Sequence, residues 1–173
     1  MSTNRLSSFG WTGPRIARLI RLNVWVYVIS NLVFNALVPY LNFEDPAAVY
    51  LFRGDQCIAR FALPMILLVP FLISVDILKK VIEAAEKGKA AFHLPAGFRK
   101  YPFIMKTALW QTLIIAVPLI VIILALPAKR TYGGEIAAGI LGISAAGIAG
   151  YTALRAVARL RILIQEKQGG YDR

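Results

Sequence analysis

Four long stretches of this chain carry no charged side chain, and that sets the solvent in which most of it can fold. Leu22–Phe43 and Thr107–Ala128 each run for twenty-two uncharged residues, and Ile136–Leu154 for nineteen. At 1.5 Å per residue, twenty-two residues make roughly 33 Å of helix, against a bilayer hydrocarbon core of about 30 Å. The remaining stretch, Phe61–Val75, is fifteen residues bounded by Arg60 and Asp76. That is short for a span, so the helix is read from about Gln56 to about Leu78. Arg60 then lies near an interface, where its stem carries the guanidinium toward the headgroups. Composition agrees: 58% of the residues are AVILMFWYC, 17% are charged, and mean hydropathy is +0.62. A soluble domain of 173 residues needs more charge to cover its surface. No segment shows the strict alternation of a transmembrane strand. The prediction is an all-α polytopic membrane protein: one four-helix transmembrane domain over 1–173, with helices at about 22–43, 56–78, 105–128 and 136–158 and a cytoplasmic loop at 79–104.

Arg15, Arg18 and Arg21 precede the first apolar run, as they would in a signal peptide. The run is too long for such a peptide's apolar region, and no small-x-small cleavage site with a polar flank follows. It is expected to be retained. Pro64 and Pro70 fall inside the second helix and Pro118 inside the third, where kinks rather than breaks are expected. Orientation follows from the basic residues. Sixteen of the twenty Lys and Arg lie in the N-terminal segment, the 76–106 connection and the C-terminal tail. The opposite connections hold Arg53, Arg60, Lys129 and Arg130. The positive-inside rule puts both termini in the cytoplasm. Residues 129–135, with Gly133-Gly134 as a turn, make a tight outer hairpin that predicts helices three and four as antiparallel neighbours. The segment from Lys79 to Lys87 is expected to carry helix two on to Gly88.

Asn31, Asn35 and Asn42 lie within roughly 40° of one face of the first helix. Amides in hydrocarbon need partners, so this face is expected to point into the bundle. It serves either as a polar cleft for a headgroup or small solute, or as hydrogen-bonding glue between helices. Gln56 and Arg60, four residues apart, share a face of helix two, with Asp55 as a helix cap. Arg60 either binds a phosphate or carboxylate, or anchors the helix end by pairing with Asp55, Glu44 or lipid phosphate. Ala138, Gly142, Ala146 and Gly150 form a stripe of small residues that permits close helix approach, within the chain or to another copy. Lys79, Lys80, Arg99 and Lys100 are expected to meet anionic lipid. Asp76 reads as a helix-end residue beside Lys79 and Lys80.

Other chemistry has no support in the residues. Cys57 and His93 are each alone, which leaves no internal disulfide, thiolate cluster or multi-histidine site. No P-loop, GxSxG, HExxH or cluster of paired carboxylates occurs, and no carboxylate lies deep in a span. The expectation is a protein that is not an enzyme and takes no cofactor, metal or nucleic acid.

Asn35-Ala36, Gly54-Asp55 and Pro70-Phe71 fall within a region, about 23–126, that resembles an uncharacterised family of small bacterial four-helix inner-membrane proteins with a permease-like label. The resemblance implies the four-helix topology. Together these features predict a structural or accessory protein of a bacterial inner membrane, multi-pass, binding membrane lipids and another membrane protein or its own copies through its helix faces. The alternative is a small-solute or lipid transporter with a polar cleft lined by Asn31, Asn35 and Arg60.

Overall fold

The computed structural model describes residues 10–43, 45–53, 57–127 and 131–169. A 3-10 turn at Gly10–Thr12 leads into α1 (Pro14–Asn42), followed by α2 (Ile58–Glu86), α3 (Lys100–Ala125) and α4 (Gly134–Gly169). All four are long and apolar enough to cross a membrane. Two-residue strands, β1 (Val49–Tyr50) and β2 (Thr131–Tyr132), pair antiparallel between the α1–α2 and α3–α4 connections. They mark one end of the bundle, here the hairpin end. The opposite end carries the α2–α3 connection and is the loop end.

α1 begins at Pro14 rather than Leu22, and the reason is amphipathicity. Ile16 and Ile20 are buried while Arg15, Arg18 and Arg21 are exposed. The first two turns are therefore a basic helix with one apolar stripe, which a search for uncharged runs passes over. Pro14 occupies the first turn, where its missing N–H costs nothing. Gly13 before it has φ 84° and would bring a Cβ within 3.2 Å of the Ala91 Cβ. That close approach seats the loop: the Ala91 N–H donates to the Thr12 carbonyl at 3.1 Å, and the Trp11 and Phe92 rings stand 5.0 Å apart.

α2 continues past Leu78 to Glu86, as the segment from Lys79 to Lys87 predicts, so Lys79 and Lys80 lie on helix. It ends in a Schellman motif. Gly88, at φ 66°, donates to the Ala85 carbonyl, and Lys89 donates to the Ala84 carbonyl. The helices run on through Pro39, Pro64, Pro70 and Pro118.

α4 is the centre of the bundle. It packs against α1 and α2, while α3 lies on α2 and touches α4 sparsely. This corrects the expected α3–α4 pairing, and the surface of α4 explains it. A Cβ at Gly142 would sit 2.7 Å from the Leu32 carbonyl oxygen and 2.8 Å from the Ala36 Cβ, and one at Gly150 3.1 Å from a Val28 methyl. The small side of α4 thus admits α1 almost backbone to backbone. Gly134, expected in a turn, is the first residue of α4, and its N–H donates to the Pro46 carbonyl at 2.6 Å.

Three apolar clusters fill the interior from end to end. Ile16, Ile20, Ile77, Ile82 and Leu160 anchor the loop end. Ile73, Ala149 and Ala153 occupy the middle. Phe43, Met65, Ile66, Leu141 and Ala145 close the hairpin end, where Ala138 is also buried. Ala146 is 9% exposed.

Candidate functional site

α1 and α2 touch much less than either touches α4, and a groove opens between them toward the hairpin end. Its volume is about 330 Å³. Asn31, Asn35 and Pro39 line one side, and Arg60 and Pro64 the other. Phe34, Val38, Phe61, Met65, Leu68 and Val69 supply the apolar walls. The lining positions recur at steps of three and four along each helix, so the groove follows one face of α1 and one face of α2. Phe34 is 66% and Leu68 54% exposed, so it opens sideways to the surroundings of the bundle.

The asparagines bond along their own helix. Asn31 Nδ2 donates to the Tyr27 carbonyl at 2.9 Å, and Asn35 Nδ2 to the Asn31 carbonyl at 3.0 Å and to Asn31 Oδ1 at 3.3 Å. Asn42 donates to the Val38 carbonyl at 2.7 Å, is exposed, and stands apart from the groove lining. The structure thus brings Asn31, Asn35 and Arg60 to one groove and leaves Asn42 out of it. Gln56, like Asp55 and Glu44, lies outside the described residues.

A second polar cluster joins α1 to α2 nearer the loop end. Lys80 Nζ is 2.6 Å from Asp76 Oδ2 and 2.7 Å from Asn23 Oδ1, and lies over the Tyr27 ring at 5.6 Å. The Tyr27 hydroxyl donates to the same Asp76 oxygen. Asp76 is therefore the centre of a contact between helices rather than a helix-end residue. Both charges of the Lys80–Asp76 pair are about 40% exposed, so its contribution to stability is about 0–1 kcal/mol.

The third cluster is buried and was not singled out in the sequence. Gln111 of α3, 2% exposed, meets Ser74 of α2 and Thr152 of α4, both 0% exposed. With its amide turned to satisfy both atoms, Gln111 donates to Ser74 Oγ at 3.1 Å and to the Thr152 carbonyl at 3.2 Å. It also accepts from the Ala156 N–H at 3.1 Å. Thr152 Oγ1 is enclosed there without a hydrogen bond among the described residues. A glutamine in mid-span was the available signal, because an amide there needs a partner.

Among the four cations expected at lipid, two are engaged within the chain. Lys80 pairs with Asp76, and Lys100 lies 3.1 Å from Glu86 and 3.4 Å from Glu83. Lys79 and Arg99 are exposed. Among the described residues no three His, Cys, Asp or Glu side chains are grouped to hold a metal ion. No protein-family model, curated protein or solved structure matches the chain.

Proposed function

We propose that the protein is a structural or accessory membrane protein, not an enzyme, and that it binds another membrane protein or a lipid through its helix faces, α1 foremost. The observation that carries this reading is the burial of the spans. Only 6% of the most apolar stretch of α1 is buried within the chain, against 44% for α2 and 50% for α4. α1 nevertheless carries Ser30, Asn31 and Asn35 in mid-span, polar groups that a helix facing lipid alone has no use for. Photo-cross-linking from α1 tests it: a probe replacing Trp25 is expected to capture one discrete adduct in the native membrane.

The second reading, a small-solute or lipid transporter, is favoured by the shared groove of Asn31, Asn35 and Arg60. It ranks lower because three apolar clusters fill the bundle interior and the groove opens sideways.

The membrane proposed is a bacterial inner membrane, with the loop end and both termini cytoplasmic. The start of α1, the end of α2, the start of α3 and the end of α4 meet in one cluster, so the basic residues near them share one end. Exposed Lys79 and Arg99 would meet anionic headgroups there. In a Cys57→Ser background, His93→Cys is expected to react with an impermeant maleimide only after the cells are permeabilised. Reaction in intact cells contradicts this orientation.

A further inference from the structure

α1 and α4 run antiparallel, and one contact fixes how their faces meet: a Cβ at Gly150 would lie 3.1 Å from a Val28 methyl. Steps of seven and eleven residues each return to within about 20° of the starting line on a helix. Arg21, seven residues before Val28, therefore lies on the side of α1 that meets α4. Arg161, eleven residues after Gly150, lies on the side of α4 that meets α1. Both arginines are exposed, and both are on the loop-end side of the contact.

Their levels converge as well. Counted from the contact, Arg21 is about 10 Å and Arg161 about 16 Å toward the loop end. Side chains tilt toward the N-terminus of their own helix, so on antiparallel helices these two lean toward each other. Arg21 shows the lean directly, because its Nε donates to the Ala17 carbonyl at 3.4 Å, one turn nearer the loop end. Neither arginine has a carboxylate partner among the described residues, and the three carboxylates of α2 are paired with Lys80 and Lys100. Two like charges thus face one cleft with nothing in the described chain to offset their repulsion.

Arg21 is the last charged residue before the apolar stretch of α1, and Leu154, seven residues before Arg161, ends that of α4. The pair therefore reaches the headgroup layer, which is about 5–7 Å thick on each side of the hydrocarbon core. On the bilayer side of the pair stand Trp25 and Leu154, 64% and 44% exposed, so apolar surface continues from the basic cleft.

We propose that this cleft binds phosphatidic acid, a phospholipid whose headgroup is a phosphomonoester, with the phosphate shared by Arg21 and Arg161 and the acyl chains along Trp25 and Leu154. Two guanidinium forks need more than the two free oxygens of a phosphodiester. A phosphomonoester offers three and carries close to two negative charges. Zwitterionic lipids add an ammonium that these arginines repel. The site goes beyond the docking reading of α1 and does not depend on it, since it uses only the flank that meets α4.

The test is native mass spectrometry of the full chain in detergent. The probes are phosphatidic acid, phosphatidylglycerol and phosphatidylcholine with matched chains, and glycerol 3-phosphate. One-to-one binding of phosphatidic acid is expected, about tenfold tighter than phosphatidylglycerol, with phosphatidylcholine weaker again. Arg21→Gln or Arg161→Gln should remove that preference, as the loss of charge-assisted hydrogen bonds predicts. Arg159, nine residues after Gly150, is exposed on the opposite side of α4. Arg159→Gln removes the same charge and should leave the preference intact. All three side chains are exposed, and unchanged thermal unfolding checks that the variants keep the fold. A loss from Arg159→Gln as large as that from Arg161→Gln overturns the proposal, because net charge alone then accounts for the binding. Equal affinity for phosphatidic acid and phosphatidylglycerol overturns it, as does a preference that survives the double variant Arg21→Gln/Arg161→Gln. Binding of glycerol 3-phosphate as tight as that of the lipid also overturns it.

Discussion

Gly142→Ala is expected to destabilise the bundle by about 1–3 kcal/mol, and Gly142→Leu to prevent its assembly, because no side chain fits between α1 and α4 at that point. A Cβ there would lie 2.7 Å from the Leu32 carbonyl oxygen and 3.3 Å from the Ala36 nitrogen. These are backbone atoms of a helix, so relief requires the helices to separate along their length. Gly150→Ala should cost less, since its nearest neighbour is a Val28 methyl at 3.1 Å. Gly139 and Gly147, on the same helix, would meet nothing within 4 Å. Alanine at either is expected to be neutral or stabilising, by up to about 1 kcal/mol from helix propensity. Thermal unfolding in detergent should therefore rank Gly147→Ala at or above the native chain, then Gly150→Ala, then Gly142→Ala. A flat series would show that α1 does not rest on α4 as described.

Gln111→Leu is expected to cost about 2 kcal/mol. Hydrogen bonds between membrane helices average about 0.6 kcal/mol each and reach about 1.7, and this residue makes three. Its loss also leaves Ser74 in the interior without that partner. Gln111→Glu should be worse, because it places a carboxylate where both neighbours are wholly buried. Ser74→Ala alone should cost less. The double variant Ser74→Ala/Gln111→Leu should cost less than the sum of the single changes, since both remove one bond. Chemical unfolding of the four proteins measures that coupling, and strict additivity would mean that the two side chains do not touch.

The two clusters behind these predictions differ in how far the sequence discloses them. The four spans are legible because hydrocarbon excludes charge, a rule that acts locally and leaves uncharged runs such as Thr107–Ala128. The stripe through Gly142 is legible as a periodicity, but whether it meets α1, α3 or another copy is not, because helix order in a bundle is decided by all the surfaces at once. The short α3–α4 connection suggests a pairing that closer packing on α1 overrides. Gln111, Ser74 and Thr152 lie on three different helices, and nothing in the spacing along any one of them brings them together. Asn31 and Asn35 share a helical face with Asn42, yet only the first two line the groove, and Asn42 is exposed at the end of α1. Arg15, Arg18 and Arg21 hide the first turns of α1 from any count of charge, although Ile16 and Ile20 between them are among the most buried residues of the protein.

If α1 is the docking face of an accessory membrane protein, as proposed, site-specific photo-cross-linking in the intact native membrane sets it apart from the other helices. Trp25 and Val33 on α1 are 64% and 53% exposed, and Val121 on α3 is 60% exposed. The probes therefore differ in the helix they report on and not in accessibility. One discrete adduct is expected from the two α1 positions, and from Val121 only the diffuse background of bulk lipid. Indistinguishable patterns from α1 and α3 would contradict it.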